Sequence, residues 1–380
     1  MGMEQMPKGA WDLIDLARCA LEGKKVSEQR VQAMDLDSVF SLAQFHSLEA
    51  LVSFAPEVLL CSWKEAQEKS LRKNLLLDME RRRLSDWMTQ NGIWHMSLKG
   101  SVLKDLYPRM EMRQMSDLDI LYDRQHQTAV RRYMLEQGYT TEGFRDTHHD
   151  VFCKPPLYTI ELHHTLFERC CDLKLVEYYR DVKHRLLPDV PGSMCHHFSD
   201  EDFYIYMIAH AYKHHQDKGV GIRALVDVWV YERSKGDGLD WSYIARECDR
   251  LGIGAYENQC RTLARKLFSG EQLEGLTEQE QEMLLFSLRA GTHGTENCEI
   301  CHKLKTLQGG EGTVTGATKV RYLLKRLFPD LQWMKQKSRM VRKFPWTLPL
   351  AWTVRLCRGV FVRGTHTAAE FRYVMDREEI

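Results

Sequence analysis

Two acids on alternate positions of a short apolar run, Ser116-Asp117-Leu118-Asp119-Ile120-Leu121, constrain this 380-residue chain more than any other feature. The run predicts a strand over 117–122, and residues two apart on a strand project to one face. Asp117 and Asp119 are therefore expected side by side, with the apolar residues forming the strand body. Like charges at that spacing repel unless a cation lies between them. A hard divalent ion takes few protein carboxylates and completes its shell with water and phosphate oxygens. Ahead of the acids, Lys99-Gly100-Ser101 falls where a strand over 93–98 feeds a helix over 101–107 that Pro108 stops. Amides at a helix start attract anions, and glycine lets a phosphate approach the backbone. Ser101 adds a hydroxyl donor and Lys99 a positive charge. Alone, this would be an ordinary turn; the acids downstream change its meaning.

Around this segment the chain reads mostly as helix. Residues 12–21 carry apolar side chains at helical spacing. A long charged helix over 70–89, with Leu71, Leu75, Leu76, Met79 and Leu84 inward, ends at Asn91-Gly92. A helix over 125–137 follows the acidic strand, then strands over 139–144, 150–154 and 158–165. Helices over 201–217, 221–232, 241–251 and 255–268 come next. A glycine-rich connector at 309–316 leads to a basic helix over 322–340, and a last amphipathic helix lies near 351–361. The expected division is an N-terminal helical region (1–90), an α+β core with a small mixed sheet (91–190), a helical substrate domain (191–308) and a basic helical region (317–380).

A metal clamp for phosphoryl chemistry needs a third carboxylate. Glu161, in Tyr158-Thr159-Ile160-Glu161-Leu162-His163-His164, is the best placed, since an acid between Ile160 and Leu162 is unusual unless its face meets a cation. Alternation puts His163 on the face of Glu161 and His164 on the other. Arg113, just before the aspartates, is a candidate phosphate clamp, although a loop arginine is as readily a salt-bridged structural group. His210, Lys213, His214 and Asp217 share one helical face, and Arg223 and Asp227 are four apart on the next helix. These are read either as a base or acceptor pocket or as a buried polar seam with Arg223–Asp227 as its ion pair. His293 and Cys298-Glu299-Ile300-Cys301-His302 invite a metal reading, but a zinc site wants a second ligand pair, so a polar loop is expected.

Lys99-Gly100-Ser101, Tyr107-Pro108, Arg113, Asp117-Leu118-Asp119-Ile120-Leu121 and Glu161-Leu162-His163 together resemble the polymerase-β-like nucleotidyltransferase superfamily. More narrowly, they resemble a bacterial family of uncharacterised nucleotidyltransferases with a KG…R…DxDxL signature. The resemblance implies the polymerase-β-like core, with Asp117 and Asp119 holding two Mg²⁺ ions (Mn²⁺ as a substitute) and Glu161 completing the nucleophile's metal. It implies that Gly100 and Ser101 hold the β/γ-phosphates of a nucleoside triphosphate. The third acid is Glu rather than the commoner Asp, which changes its reach by a methylene.

Lysines and arginines balance aspartates and glutamates at 53 each, which excludes wholesale nucleic-acid coating by a global field. The balance is local, though: residues 319–363 hold twelve Lys/Arg and one acid, Asp330. That stretch is a solvated helical face or a surface for a phosphate-rich partner, nucleic acid or membrane. Eleven scattered cysteines and an opening without a charged-then-apolar pattern suit reduced thiols in a cytoplasm, and no apolar run suffices to span a bilayer. The expected activity is transfer of a nucleoside monophosphate to the hydroxyl of a small acceptor. Nucleotidylation of RNA or protein, and an idle nucleotide-binding regulatory module, are the alternatives.

Overall fold

A computed structural model describes residues 6–58, 61–141, 149–168, 172–270, 275–292, 294–309, 312–361 and 364–377. Its contacts divide the chain into two compact units, Met1–Lys213 with Val220–Thr292, and His214–Gly219 with His293–Ile380. The first is mixed α+β and holds the acidic segment. The second is helical throughout its described residues.

The sheet of the first unit has five strands: β1 (His95–Ser97), β2 (Leu118–Tyr122), β3 (Thr140–Thr141), β4 (His149–Lys154) and β5 (Tyr158–His163). Their spatial order is β1-β2-β5-β4-β3, antiparallel except for the parallel β2–β5 pair. Period-two alternation gives the sheet two distinct faces. Leu118, Ile120 and Tyr122 of β2 join Ile160 and Leu162 of β5 and Phe152 of β4. That face packs on Leu77, Leu84 and Met88 of the helix Cys61–Gln90 and on Val130 and Met134 of the helix Gln127–Glu136. The other face presents Asp119 and Leu121 with Glu161 and His163. Leu121, with Met96 and Leu98, enters a larger core that runs from Ala10 to Leu288. That core draws on residues either side of positions 90 and 190.

Several expected elements differ in detail. The strand expected over 117–122 begins at Leu118, leaving Asp117 at its mouth. In the helix Cys61–Gln90, Leu75 and Met79 face outward. The buried positions there include Ser70 and Asn74, because Ser70 Oγ donates to Glu111 O and Asn74 Nδ2 to Met110 O and Arg113 O. Burying those hydrogen-bonded groups turns the inward stripe away from Leu75 and Met79. Phe144, the expected end of the strand over 139–144, lies outside the described residues. The basic helix expected over 322–340 is three pieces, Gly316–Leu327, Leu331–Lys337 and Arg339–Lys343. Pro329 cannot continue the first, and Asp330 caps the second by accepting from Trp333 N at 2.8 Å. The Cys298–His302 segment is no loop but part of the helix Glu296–Gln308, with Cys298 buried and Cys301 Sγ 3.3 Å from Tyr373 Oη. His293 lies outside the described residues.

Candidate active site

Parallel pairing of β2 with β5 sets Asp119 directly opposite Glu161, and Leu121 opposite His163. One oxygen each of Asp119 and Glu161 and one nitrogen of His163 lie within 4.8 Å of one another. His163 Nε2 donates to Asp119 Oδ1 at 2.8 Å and lies 3.5 Å from Glu161 Oε2. Antiparallel pairing of β4 brings in His149, opposite His163, with Nε2 3.8 Å from Glu161 Oε2. The fifth member is Lys99, whose Nζ donates to the same Asp119 Oδ1 at 2.6 Å.

These contacts set the charge states. Burial works against the Asp119 carboxylate, but Lys99 and His163 override it and hold its pKa well below the ordinary value. Glu161 is held down chiefly by the His163 hydrogen bond, against burial and the Asp119 charge. Burial likewise opposes the Lys99 charge, and Asp119 more than restores it. Asp117 behaves oppositely: burial and the neighbouring Asp119 push its pKa up, against Lys99. Its carboxylate accepts from Ser116 Oγ at 2.9 Å and is not one of the three clustered donors. Of the expected Asp117, Asp119 and Glu161, the last two share the cluster with His163, and Asp117, which precedes the strand, is not in it.

The segment before the site carries a backbone outlier. Lys99 has φ 48° and ψ −120°, a left-handed conformation that costs a residue with a Cβ on the order of 1–3 kcal/mol. That bend turns the chain from β1 into the short helix Gly100–Leu103 and aims the lysine at Asp119. Ser101 is 5 % exposed, and its Oγ has no hydrogen-bond partner among the described residues. A Cβ on Gly100 would lie 3.5 Å from Met115 Cγ and 3.8 Å from Arg113 Nη1.

Arg113 is not available as a phosphate clamp. Its Nε and Nη2 donate to the two oxygens of Asp227 at 2.7 and 2.9 Å, and Nη1 donates to Gln114 O at 2.9 Å. Tyr107 Oη adds a third bond to Asp227 at 2.7 Å. The ion pair expected between Arg223 and Asp227 is thus made by Arg113, and Tyr107 bonds the same carboxylate. Arg223 instead donates weakly, Nη1 to Gln114 O at 3.4 Å, and makes no carboxylate bond among the described residues. Burial and the adjacent Arg113 push its pKa down to about 10, against the pull of Asp227 and Asp117. Its helix starts at a crowded point: a Cβ on Gly221 would fall 2.5 Å from Gly291 O, so only glycine fits there.

Of the other candidates, His210 packs edge to face-tilted against Tyr206, ring centroids 6.0 Å apart. Lys213 and His214 follow it on the helix Asp200–Asp217, half-buried and outside the carboxylate cluster. His164 faces away, 3.1 Å from Asp150 Oδ2 and against the Tyr122 ring. Sequence reasoning missed His149 and Tyr206. Tyr206 is buried, and its hydroxyl pKa, raised first by burial, also feels Lys99, Asp119 and Glu161. No local signal marks either; both arrive through tertiary pairing. Beside Met115 lies a cleft of about 460 Å³ lined by Glu65, Glu68, Lys69, Arg72, Lys73, Pro156 and Leu157. Lys73 donates to Leu157 O there and is close enough for Asp117 to favour its charge, against burial.

Two carboxylates and an imidazole converging within 4.8 Å form a donor set that suits a divalent cation, and the imidazole favours Mn²⁺ more than an all-oxygen site would. A family model for uncharacterised nucleotidyltransferases matches residues 31–269, and the chain belongs to that family. No curated protein matches it. The matched span contains every residue of the site, from Lys99 to Asp227.

Proposed function

We propose that the protein transfers a nucleoside monophosphate from a nucleoside triphosphate to the hydroxyl of a small acceptor. The observation that carries this reading is the juxtaposition of Asp119, Glu161 and His163 beside Lys99-Gly100-Ser101 in a chain of nucleotidyltransferase ancestry. Asp119, Glu161 and His163 would hold a divalent cation, Mg²⁺ or Mn²⁺, with Asp117 positioned to serve a second. Such an ion, when bound, neutralises phosphate oxygens and polarises the attacking hydroxyl.

The chain's own groups supply the rest. Ser101 Oγ, buried and without a partner, donates to a phosphate oxygen beside Gly100. Arg223 takes the clamping role that Arg113 cannot, since its guanidinium carries no competing carboxylate bond. Glu161 is half-buried where Asp119 is fully buried, so it is the carboxylate that reaches the acceptor proton. The acceptor oxygen bonds to the α-phosphorus, the bond from that phosphorus to the bridging oxygen breaks, and pyrophosphate leaves. Positioning and charge neutralisation provide most of the acceleration. In the cleft lined by Lys69, Arg72 and Lys73 with Glu65 and Glu68, the cations outnumber the acids and could meet an anionic substrate group on the Asp117 side.

The test is incubation with α- and γ-labelled triphosphates, a divalent ion and a metabolite extract. Transfer of α-label with release of pyrophosphate supports the reading. Transfer of γ-label alone, or none from any triphosphate, defeats it.

A further inference from the structure

The second unit carries an arrangement apart from the residues assigned to nucleotidyl transfer above. In the helix Gly316–Leu327 and its end, Val320, Leu324 and Phe328 recur every four residues and stand exposed. Trp346, Leu350 and Val354, in and just before the helix Leu348–Phe361, repeat the pattern. The six are between 43 % and 79 % exposed, Trp346 the most. The two helices meet where Phe328 packs edge-on against Trp352, ring centroids 5.5 Å apart, and Trp352 Nε1 donates to Pro329 O at 2.9 Å. Spacing of four keeps each trio within one stripe of a helix. Leaving such a stripe of large apolar side chains in water is costly, and a stripe of this kind marks an interaction surface.

Charge narrows the partner. Residues 319–363 hold twelve Lys/Arg against Asp330 alone. Arg321 and Lys325 follow Val320 and Leu324 by one position, so they flank the stripe, and neither makes an ion pair with a described residue. Lys335 and Arg339 likewise have no carboxylate partner among the described residues. Long cationic side chains beside exposed Leu, Val, Phe and Trp match an anionic lipid surface, where the apolar groups enter the acyl boundary and the cations meet headgroup phosphates. A nucleic-acid backbone would reward the cations but give Val320, Leu324, Leu350 and Val354 nothing to bury against. Among the described residues no helix is long and apolar enough to cross a membrane, so the contact is peripheral.

We infer that these basic, apolar-striped helices of the second unit dock the protein on anionic membranes. The inference is independent of the reaction proposed above. The full chain is sedimented with vesicles of phosphatidylcholine alone or with 30 % phosphatidylglycerol, at low and raised salt. The anionic phosphatidylglycerol is expected to increase bound protein at least tenfold, with Leu324→Glu/Leu350→Glu and Arg321→Glu/Lys325→Glu each abolishing most of that gain. Leu324→Phe/Leu350→Phe, which keeps the apolar character, is expected to retain it and shows that loss in the glutamate variants is not misfolding. Equal binding to both vesicles, or none, overturns the inference. So does polyuridine binding that the Leu→Glu pair leaves unchanged, or a dimer in sedimentation that the same pair dissociates.

Discussion

Asp227 and Asp119 are both buried aspartates of the first unit, each bonded to a cation, yet their surroundings are built on different plans. At Asp227 both oxygens are used: Arg113 grips them as a fork and Tyr107 adds a third bond. At Asp119, Lys99 and His163 share Oδ1, and Oδ2 makes no hydrogen bond to any described residue. Beside it, among the described residues, Glu161 is met by two histidines at 3.5 and 3.8 Å. The first cluster is a closed tie between a loop and a helix; the second keeps ligating capacity unspent. A charge site that the fold needs for itself is satisfied by the fold, and one that it keeps for a ligand is not.

The largest effect should separate the two aspartates. Asp119→Asn should reduce α-label transfer by roughly a thousandfold or more. Its cost in stability should be only about 1–2 kcal/mol, since Lys99 can turn toward Glu161. Asp227→Asn should instead lower unfolding free energy by about 3–5 kcal/mol, because Arg113 is left buried without its counter-charge. Chemical denaturation and label transfer on both variants check this, and equal profiles would erase the distinction. The two arginines come next. Arg223→Ala should weaken triphosphate binding by about tenfold, or about 1.4 kcal/mol, with little change in stability. Arg113→Ala should behave as Asp227→Asn does, and titration calorimetry beside thermal melts will tell them apart.

The smallest effect is in the pH dependence of the metal-free protein. Asp119 and Glu161 have folded pKa values below their ordinary 3.8 and 4.5. Their stabilisation is therefore fully present above those ordinary values and is lost as pH falls through the folded ones. Asp119→Asn should flatten that acid limb. Asp117 has the opposite sign, its pKa raised from 3.8, so ionising it destabilises the fold at neutral pH. Asp117→Asn should then gain about 0.5–1 kcal/mol near pH 7 while impairing transfer, the signature of a group kept for function. A loss of stability in that variant would place Asp117 among the structural acids instead.

Much of the site was legible because alternation is local. Leu118 and Ile120 against Asp119, and Ile160 and Leu162 against Glu161, announce two-faced strands, and the structure puts both acids on one face. Which strands pair is not local. His149 reaches Glu161 only through the β4–β5 register, and Tyr206 arrives from a helix about 40 residues beyond β5. The Arg113–Asp227 tie spans 114 positions, so spacing within one helix suggested Arg223 instead. Asn74 and Ser70 misled the helix register for a related reason, since loop carbonyls from residues 110–113 decide which side is buried.

The most direct test of the open cluster is Mn²⁺ binding followed by electron paramagnetic resonance on the intact chain. Wild-type protein should immobilise Mn²⁺ at Asp119, Glu161 and His163, and Asp119→Asn should lose that site while Asp227→Asn, wherever it remains folded, keeps it. Unchanged Mn²⁺ binding in Asp119→Asn would contradict the account.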